Sequence, residues 1–294
     1  MLTYMKTGFL LGLSMLLLPA AHGQRVESFL GTYKGQNATG YLQPFADALP
    51  AMLQSGYSQD ARVDSSFHLY IGLVVFAALP TDAQRQFTAT TEGAFTPVQP
   101  ATVPTIFGDT RSVIVNGDNG TSYVFSGGLN TRYLPLAAPQ LTLGSLYGTE
   151  LNLRYFASDF GKNFGKVSLI GGGIRHSLSQ YFHPRNLDLT LAYAEQQFKI
   201  GTVLNVRSRQ LMLEAGQHWK GIAYYGFAGY LMSKTDIHYA YSAEASSQVN
   251  LSLKNKNALI AGAGFSVKVW KIKLNANARY AGSIVATGGL GLDF

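Results

Sequence analysis

The feature that most constrains this chain is a two-residue alternation of apolar and polar side chains, which recurs through its C-terminal half. It is clearest in residues 271–281, where the even positions are apolar: Ile272, Leu274, Ala276, Ala278 and Tyr280. Neighbouring side chains of a strand point to opposite faces, so the odd positions share a polar face. The same alternation occurs in residues 148–156, 187–196 and 210–218. Segments of about ten such residues divided by turns are typical of transmembrane β-barrels.

The last residues of the chain carry a second signal of this kind. Phe294 ends the sequence, and Leu292 and Leu290 precede it at two-residue spacing. This arrangement resembles the insertion signal of bacterial outer-membrane barrels, which the barrel-assembly machinery reads. We therefore expect residues 284–294 to be the last strand. Because an open sheet edge in lipid is costly, we expect this strand to pair with the first, 67–78.

Residues 1–23 predict export. Lys6 is their only charge, residues 9–18 are apolar, and small residues at 21 and 23 precede a cut before Gln24. A membrane anchor is the alternative, but the apolar run is shorter than the roughly 20 residues that span a bilayer. We expect a cleaved signal peptide and a mature protein in the bacterial outer membrane.

Composition excludes several other classes of protein. Charged residues make up 13% of the chain, against about 25% in ordinary soluble domains. The 17 Tyr and 17 Phe argue against disorder. The absence of Cys excludes disulfides, Cys-ligated zinc and a thiol nucleophile. The net charge of +7 comes without a dense basic cluster, so we expect no nucleic-acid partner.

Counting back from Phe294 predicts eight wall strands: 284–294, 271–281, 257–268, 222–233, 205–218, 187–198, 165–177 and 148–158. Residues 67–78 supply a ninth and 86–95 a poorer tenth. Residues 165–177 contain three successive glycines at 171–173, which leave their register uncertain. An even strand number favours ten, or twelve if 112–115 and 122–125 join the wall. The turn at 116–120 predicts a small hairpin in either case.

Two segments are expected outside the wall. Residues 41–54 have helical spacing, with Tyr41, Phe45, Leu49 and Leu53 in steps of four. This amphipathic helix belongs to an N-terminal segment, 24–63, that we expect in the lumen or over a barrel mouth, in preference to the membrane surface. Residues 64–294 form the barrel domain, and 96–140, with five prolines, are expected as a long non-wall insertion. The predicted fold is all-β: a single antiparallel transmembrane β-barrel of about 10 to 12 strands with a short N-terminal helix as plug or lid.

The predicted inner face carries charges of both signs. Its lumen-facing set is Glu150, Arg154, Asp188, Glu214, Lys273, Asn275, Asn277 and Arg279. A wide pore would keep these groups solvated, whereas a narrow barrel of about ten strands would pair them across a filled lumen. The chain length fits the narrow case. Trp219 and Trp270 each stand beside a Lys at a tight turn, which predicts a periplasmic aromatic girdle.

Signals for chemistry are weak. His176 and Ser179 lie near a strand end, but no motif of outer-membrane lipases or deacylases is visible. The six His show no metal-ligand spacing. We therefore predict no enzyme, no metal and no cofactor.

Several segments together resemble a known family. They are residues 41–48, 67–69, 104–108, 148–151 and 174–177, in this order after the signal sequence. With them, the chain resembles an uncharacterised family of Bacteroidota outer-membrane proteins known as a domain of unknown function. The overall plan is loosely similar to the long-chain fatty-acid transporter superfamily, whose barrels carry an N-terminal hatch and pass hydrophobic ligands.

Three functions follow as hypotheses. The first is a barrel that binds or passes small hydrophobic molecules, with ligand contacts at Tyr41, Phe45 and Phe76. The alternative is a structural, adhesive or secretion-partner barrel without transport, and a barrel enzyme acting on lipid is less favoured. An aromatic pocket would favour the first, and a solid, salt-bridged lumen the second. The expected partners are outer-membrane lipid, the barrel-assembly machinery and a hydrophobic small molecule.

Overall fold

The computed structural model describes residues 33–294 apart from Ser65, 162–164, 183–185 and 242–243. The expected signal sequence and its cleavage site lie outside the described residues. Within the described part, no helix is long and apolar enough to cross a membrane.

Ten strands build one closed antiparallel wall, as the alternation predicts. They are β1 (His68–Leu79), β6 (Leu134–Leu146), β7 (Thr149–Asp159), β8 (Lys166–Ser177), β9 (Asp188–Ile200), β10 (Leu204–Trp219), β11 (Ile222–Tyr241), β13 (Leu259–Val269), β14 (Ile272–Tyr280) and β15 (Ile284–Asp293). Each pairs with its neighbours in this order. The barrel closes where β1 meets β15, with Tyr70 opposite Asp293 and Leu79 opposite Ile284. The predicted pairing of first and last strands is confirmed.

The remaining elements lie off the wall. They are the helix α1 (Gly35–Leu53), the strands β2 (Gln86–Thr90), β3 (Pro100–Pro104), β4 (Val113–Asn116), β5 (Ser122–Phe125) and β12 (Glu244–Lys254), and the short helix α2 (Ser179–Phe182). Strands β2 and β3 pair as one small sheet and β4 and β5 as another, which is the hairpin predicted around 116–120. Strand β12 pairs with the distal part of β11 and extends that hairpin beyond the wall.

The tenth wall strand was predicted in the wrong place. Residues 86–95 contribute only to β2, whereas β6 takes the wall position and overlaps the end of the 96–140 insertion. Pro135 and Pro139 conceal β6 in the sequence, because a proline cannot donate to a sheet ladder. Both are tolerated here because the β6 ladder to β7 runs from Gln140 to Leu146, so the prolines precede it and pair only with β1.

The two ends of the barrel differ. At one, which we call the turn end, β10 joins β11 and β13 joins β14 through two-residue turns, and Phe294 lies close by. Trp219 and Trp270 are 67% and 80% exposed there, and the Lys271 ammonium lies 4.6 Å from the Phe294 ring centre. At the other, which we call the cap end, residues 80–133 and the β11–β12 hairpin extend past the wall.

The helix α1 begins six residues before the predicted stretch and runs through both prolines, Pro44 and Pro50. Neither proline ends it. Contacts from outside the helix support its first turn, since the Asn37 amide donates to the Thr90 carbonyl at 2.8 Å and accepts from the Thr90 N–H at 3.1 Å. Such tertiary contacts override local helix preference.

Candidate functional site: the luminal segment

Residues 33–64, which we call the luminal segment, run through the barrel from the cap end to the turn end. Tyr33 hydrogen-bonds at the cap, where its hydroxyl donates to the Ser126 carbonyl at 2.9 Å. Gln54 bonds to Ser208, near the cap-end start of β10. Ala61 accepts a bond from Thr190, near the turn-end start of β9. The segment therefore spans the height of the lumen before β1 leads the chain back along the wall.

The cap-end half of the lumen is apolar. Buried wall side chains surround α1 there: Phe76, Phe198, Val206, Leu231, Ile237 and Val285. The helix is buried on nearly every side, including its polar residues Gln43 and Asp47. The Asp47 carboxylate accepts bonds from the Lys256 N–H at 2.7 Å and from the Gln43 amide at 3.0 Å. A helix buried all round is expected inside a core and not on a membrane surface.

Arg154 of β7 caps the C-terminal end of α1. Its guanidinium donates to the carbonyl oxygens of Leu53 at 2.9 Å and Ser55 at 2.7 Å. Two further bonds go to the Gln140 amide oxygen, at 2.9 and 2.7 Å. The guanidinium carbon of Arg154, Cζ, lies 3.8 Å from the centre of the Tyr57 ring. The last carbonyls of a helix lack intrahelical donors and carry partial negative charge, so a buried cation is favourable at this end.

Below the helix, the wall holds the segment through polar contacts on most sides. Seven of the ten wall strands form hydrogen bonds with residues 53–61. The wall partners are Arg154 of β7, Arg175 of β8, Thr190 and Gln196 of β9, Ser208, Gln210 and Glu214 of β10, Tyr225 of β11, Lys273 of β14 and Thr287 of β15. Buried polar groups are costly unless they are paired, so these bonds make the seated segment the favoured arrangement.

A charged network lies toward the turn end. The Arg175 guanidinium donates to both Glu150 and Glu214, with 2.7 Å to the Glu214 carboxylate, and also to the Asp60 carbonyl. The Asp60 carboxylate accepts from the Lys273 ammonium at 2.6 Å. All four side chains of the wall in this network are buried or nearly so. The predicted pairing of opposite charges is present, and Asp60 joins the segment to it.

Two glycines leave room where the segment passes the wall. Gly56 has φ +73°, and a Cβ there would lie 2.7 Å from Val74 of β1 and 2.8 Å from Thr287 of β15. A Cβ at Gly171 of β8 would lie 2.4 Å from the Tyr57 hydroxyl. A side chain at either position would collide with these neighbours. At Gly56, the backbone of the segment therefore lies directly against β1 and β15.

The structure places the eight predicted lumen-facing residues as follows. Six are buried inside: Glu150, Arg154, Glu214, Asn275, Asn277 and Arg279. Lys273 is mostly buried beside Asp60. Asp188 lies near the turn-end rim, where its carboxylate is 2.6 Å from His218. On the other face of β14, Leu274 is 51% and Tyr280 57% exposed.

The three predicted ligand contacts have separate surroundings. Tyr41 is buried, with its ring 5.0 Å from that of Tyr33 and its hydroxyl donating to Gly127. The Phe45 ring lies 6.4 Å from that of Phe107 in the cap. Phe76 is buried, with the Arg154 guanidinium 4.9 Å from its ring centre. Each ring is packed against protein, and the ligand assignment stays a prediction.

His176 and Ser179 have different partners. Both His176 ring nitrogens are engaged, at 2.8 Å from the Thr149 hydroxyl and 2.9 Å from the Tyr181 hydroxyl. The Ser179 hydroxyl donates to the Leu187 carbonyl and accepts from the Leu189 N–H. These hydrogen bonds stabilise the connection between β8 and β9 around α2.

Several residues of the site escape sequence analysis. Arg175 lies in the strand whose register the glycines obscure, although its odd-numbered position beside them would have placed it inside with Gly171 and Gly173. Gln140 falls in the stretch assigned to the insertion. Tyr57 and Asp60 follow the predicted helix, and no periodicity marks them.

The cap carries its own polar contacts to α1. The Asn37 amide donates to the Glu92 carboxylate at 2.7 Å. Burial raises the pKa of Glu92 above its ordinary value, while the nearby Lys34 charge opposes this. Because these groups lie beyond the wall, they join the cap to the first turn of the helix.

Comparisons with known proteins identify one family and several similar solved structures. A model described as a family of unknown function, DUF6588, matches residues 5–294. A search of curated proteins finds no match.

Three solved structures are similar in architecture. The attachment invasion locus protein Ail of Yersinia pestis has a TM-score of 0.29 and 10% identity over 78% of this chain and 97% of its own. The Ralstonia pickettii toluene transporter TbuX has 0.29 and 9%, over 83% and 92%. The transport unit of the Escherichia coli autotransporter AIDA-I has 0.33 and 12%, over 89% and 99%. These similarities assign no role to this chain, and the link to fatty-acid transporters stays a prediction.

Proposed function

The chain belongs to the family of unknown function DUF6588, and we propose that it is an outer-membrane barrel sealed by its own luminal segment, with a structural, adhesive or partner-binding role and no enzymatic activity. One observation carries the proposal: seven of the ten wall strands hydrogen-bond to residues 53–61, so the segment is held inside the lumen on most sides. A filled, salt-bridged lumen is the arrangement expected of a closed barrel and not of an open porin.

The proposed orientation places the cap end outside the cell. Outer-membrane barrels have short periplasmic turns and longer extracellular connections. The turn end has the two-residue turns at Lys220–Gly221 and Trp270–Lys271, while the cap end carries residues 80–133. The cap is then the surface through which the protein meets its partners. Export by residues 1–23 and insertion through Phe294 belong to the same proposal.

Planar-bilayer recording tests the seal. We expect the intact protein to be closed, with rare openings, and a variant lacking residues 24–60 to conduct steadily. Equal conductance of the two proteins would show that residues 24–60 do not close the barrel, and would contradict the proposal. Heat modifiability on gels serves as the control that the deletion variant still forms a folded barrel.

A second candidate is the passage or binding of small hydrophobic molecules. Its support is the apolar cap-end lumen, because displacement of α1 would expose buried side chains such as Phe76, Leu231 and Ile237. A hydrophobic ligand could then compete with the helix for the same surface. Saturable binding of a hydrophobic fluorophore that increases when residues 24–60 are deleted would favour this candidate, and no binding in either protein would exclude it.

A further inference from the structure

Outward-facing cations form a row across three neighbouring strands toward the cap end, which we call the basic row. Arg207 of β10 lies directly opposite Lys234 of β11, and Lys234 lies directly opposite Lys254 of β12. All three residues are exposed. Like charges directly opposite each other on antiparallel strands are destabilising. A bound anion would relieve this repulsion.

Acidic side chains neutralise little of the basic row. The Lys234 ammonium lies 3.0 Å from the Asp236 carboxylate. Among the residues that the structure describes, no acidic side chain forms an ion pair with Arg207 or Lys254. One position further toward the cap, Lys199 adds another exposed cation on β9. Four cations thus face one acid, and the surface attracts anions.

The basic row lies about one membrane thickness from the turn end. Between Trp219 and Arg207, β10 rises about 29 to 33 Å along the barrel axis, at about 3.4 Å per residue and a tilt of about 35 to 45°. The apolar band of an outer-membrane barrel is about 25 Å tall. With Trp219 at one interface, the basic row lies just beyond the other, at the level of the lipid headgroups.

Aromatic residues mark the edge of the apolar band beside the basic row. Tyr193 of β9 and Tyr230 of β11 lie on either side of Leu211 of β10, directly opposite it, and all three are exposed outside. Tyrosine is enriched where hydrocarbon meets headgroups. The next position toward the cap holds Arg209 opposite Glu195, where the charges are unlike, and the basic row follows.

The charge is confined to one side of the barrel. On β1, β13, β14 and β15, the positions that alternate with the inward ones are all uncharged, from the turn end to the cap end. General solvation of the rim would place charges all round it. The one-sided arrangement therefore indicates a local anion site.

We infer that the basic row binds the phosphate groups of a phosphorylated glycolipid in the outer leaflet. The inference goes beyond the proposed function: it uses the proposed orientation and does not depend on the seal. A lipid is the favoured source of phosphate because the row adjoins the lipid-facing wall, where acyl chains can pack on the exposed Leu211 and Leu213. The Arg207 guanidinium presents a planar fork that matches phosphate oxygens, and the two lysines supply point charges.

Titration with diphosphoryl lipid A tests this assignment. Folded protein in a neutral detergent is titrated with the lipid, and bound copies are counted by native mass spectrometry. Arg207→Gln with Lys234→Gln removes two cations of the basic row. The matched control, Lys166→Gln with Lys220→Gln, removes the same charge elsewhere, because Lys166 has Asp159 opposite it and Lys220 lies at the turn end. Heat modifiability on gels shows that both double variants are folded.

We expect the row variant to bind lipid A about 25-fold more weakly than wild type, because each Lys or Arg near an anionic surface contributes about five-fold. The control variant should bind like wild type, and inorganic phosphate should not displace the lipid. Absence of binding to wild type, equal weakening in both variants, or undiminished binding of lipid A without its phosphates would overturn the inference. Displacement by equimolar inorganic phosphate would assign the row to a soluble anion and overturn the lipid assignment.

Thermal unfolding provides a second readout. Without lipid, the row variant should unfold at a higher temperature than the control variant, because opposed like charges have been removed. Lipid A should then raise the unfolding temperature of the control variant more than that of the row variant. Equal increases would overturn the inference. Since both measurements are made in micelles, their failure would leave the proposed seal and its conductance test unaffected.

Discussion

Replacement of Arg154 by methionine should loosen the luminal segment from the wall. The guanidinium makes two bonds to the segment, to the Leu53 and Ser55 carbonyls. Each bond to a charged group contributes about 1.5 to 3 kcal/mol, so the two together contribute about 3 to 6 kcal/mol. Methionine keeps much of the apolar volume but leaves both buried carbonyls without a donor. Relief of arginine desolvation offsets part of the loss, which favours the lower end of the range.

The expected change in population follows from that energy. Each 1.4 kcal/mol is a factor of ten, so a loss of about 3 kcal/mol raises the unseated population about 100-fold. Ala51, which is fully buried in α1, serves as a reporter when changed to cysteine. Its reaction with a small maleimide in purified protein requires the helix to leave the lumen, so the reaction rate follows the unseated population.

The matched control is Arg209→Met, because Arg209 is exposed on the outer face of β10. In the Ala51→Cys background, we expect Arg154→Met to speed modification about 100-fold and Arg209→Met to leave it unchanged. Equal rates in both variants, with Ala51→Cys still reactive in denaturant, would refute the role of Arg154 as the anchor of the helix end.

Three further predictions follow from the packing. Gly171→Val should displace the Tyr57 ring and increase bilayer openings, since even a Cβ at this position would lie 2.4 Å from the Tyr57 hydroxyl. Opening rates equal to wild type would contradict that contact. Gly56→Ala should lower the unfolding temperature and slow barrel closure in refolding assays, because its φ of +73° and the neighbouring wall both oppose a side chain, and unchanged refolding would argue against the close passage. Ala276→Arg places a charge in lipid at a cost of about 2 to 4 kcal/mol, so it should reduce folding into vesicles more than Asn277→Arg does. Equal effects of the two variants would contradict the assigned faces of β14.

The alternation of apolar and polar residues predicted most of the wall strands, because contact with lipid requires one face of each strand to be apolar. A lipid-facing charge is costly, so strands such as β14 keep apolar Leu274 and Tyr280 opposite polar Asn275 and Arg279 without exception. The β1–β15 seam followed from the same constraint, since an unpaired edge in lipid has no hydrogen-bond partners. The prediction missed β6 because its two prolines lie in the part of the strand that pairs with β1 but not with β7. The sequence pattern of a single strand does not show where its neighbours begin and end.

The site was less accessible from the sequence than the wall. Arg154 and Glu214 occupy polar positions of alternating strands, which predicted that their side chains point into the lumen. Their hydrogen-bond partners depend on how β7 and β10 are placed around the barrel. Tyr57 and Asp60 belong to an irregular stretch after α1, where neither helical nor strand periodicity applies. Their contacts with Gly171 and Lys273 arise only when the segment enters the closed wall.

Disulfide formation tests most directly whether the luminal segment occupies the barrel. The hydroxyls of Ser55 and Thr287 are in hydrogen-bond contact inside the lumen, while Ala286, next to Thr287 on β15, is exposed on the outer face. In a chain without native cysteine, we predict that Ser55→Cys with Thr287→Cys forms an intramolecular disulfide when the protein is oxidised in its membrane. The same change paired with Ala286→Cys should form none. A disulfide with Ala286→Cys, or none with either partner, would contradict the account.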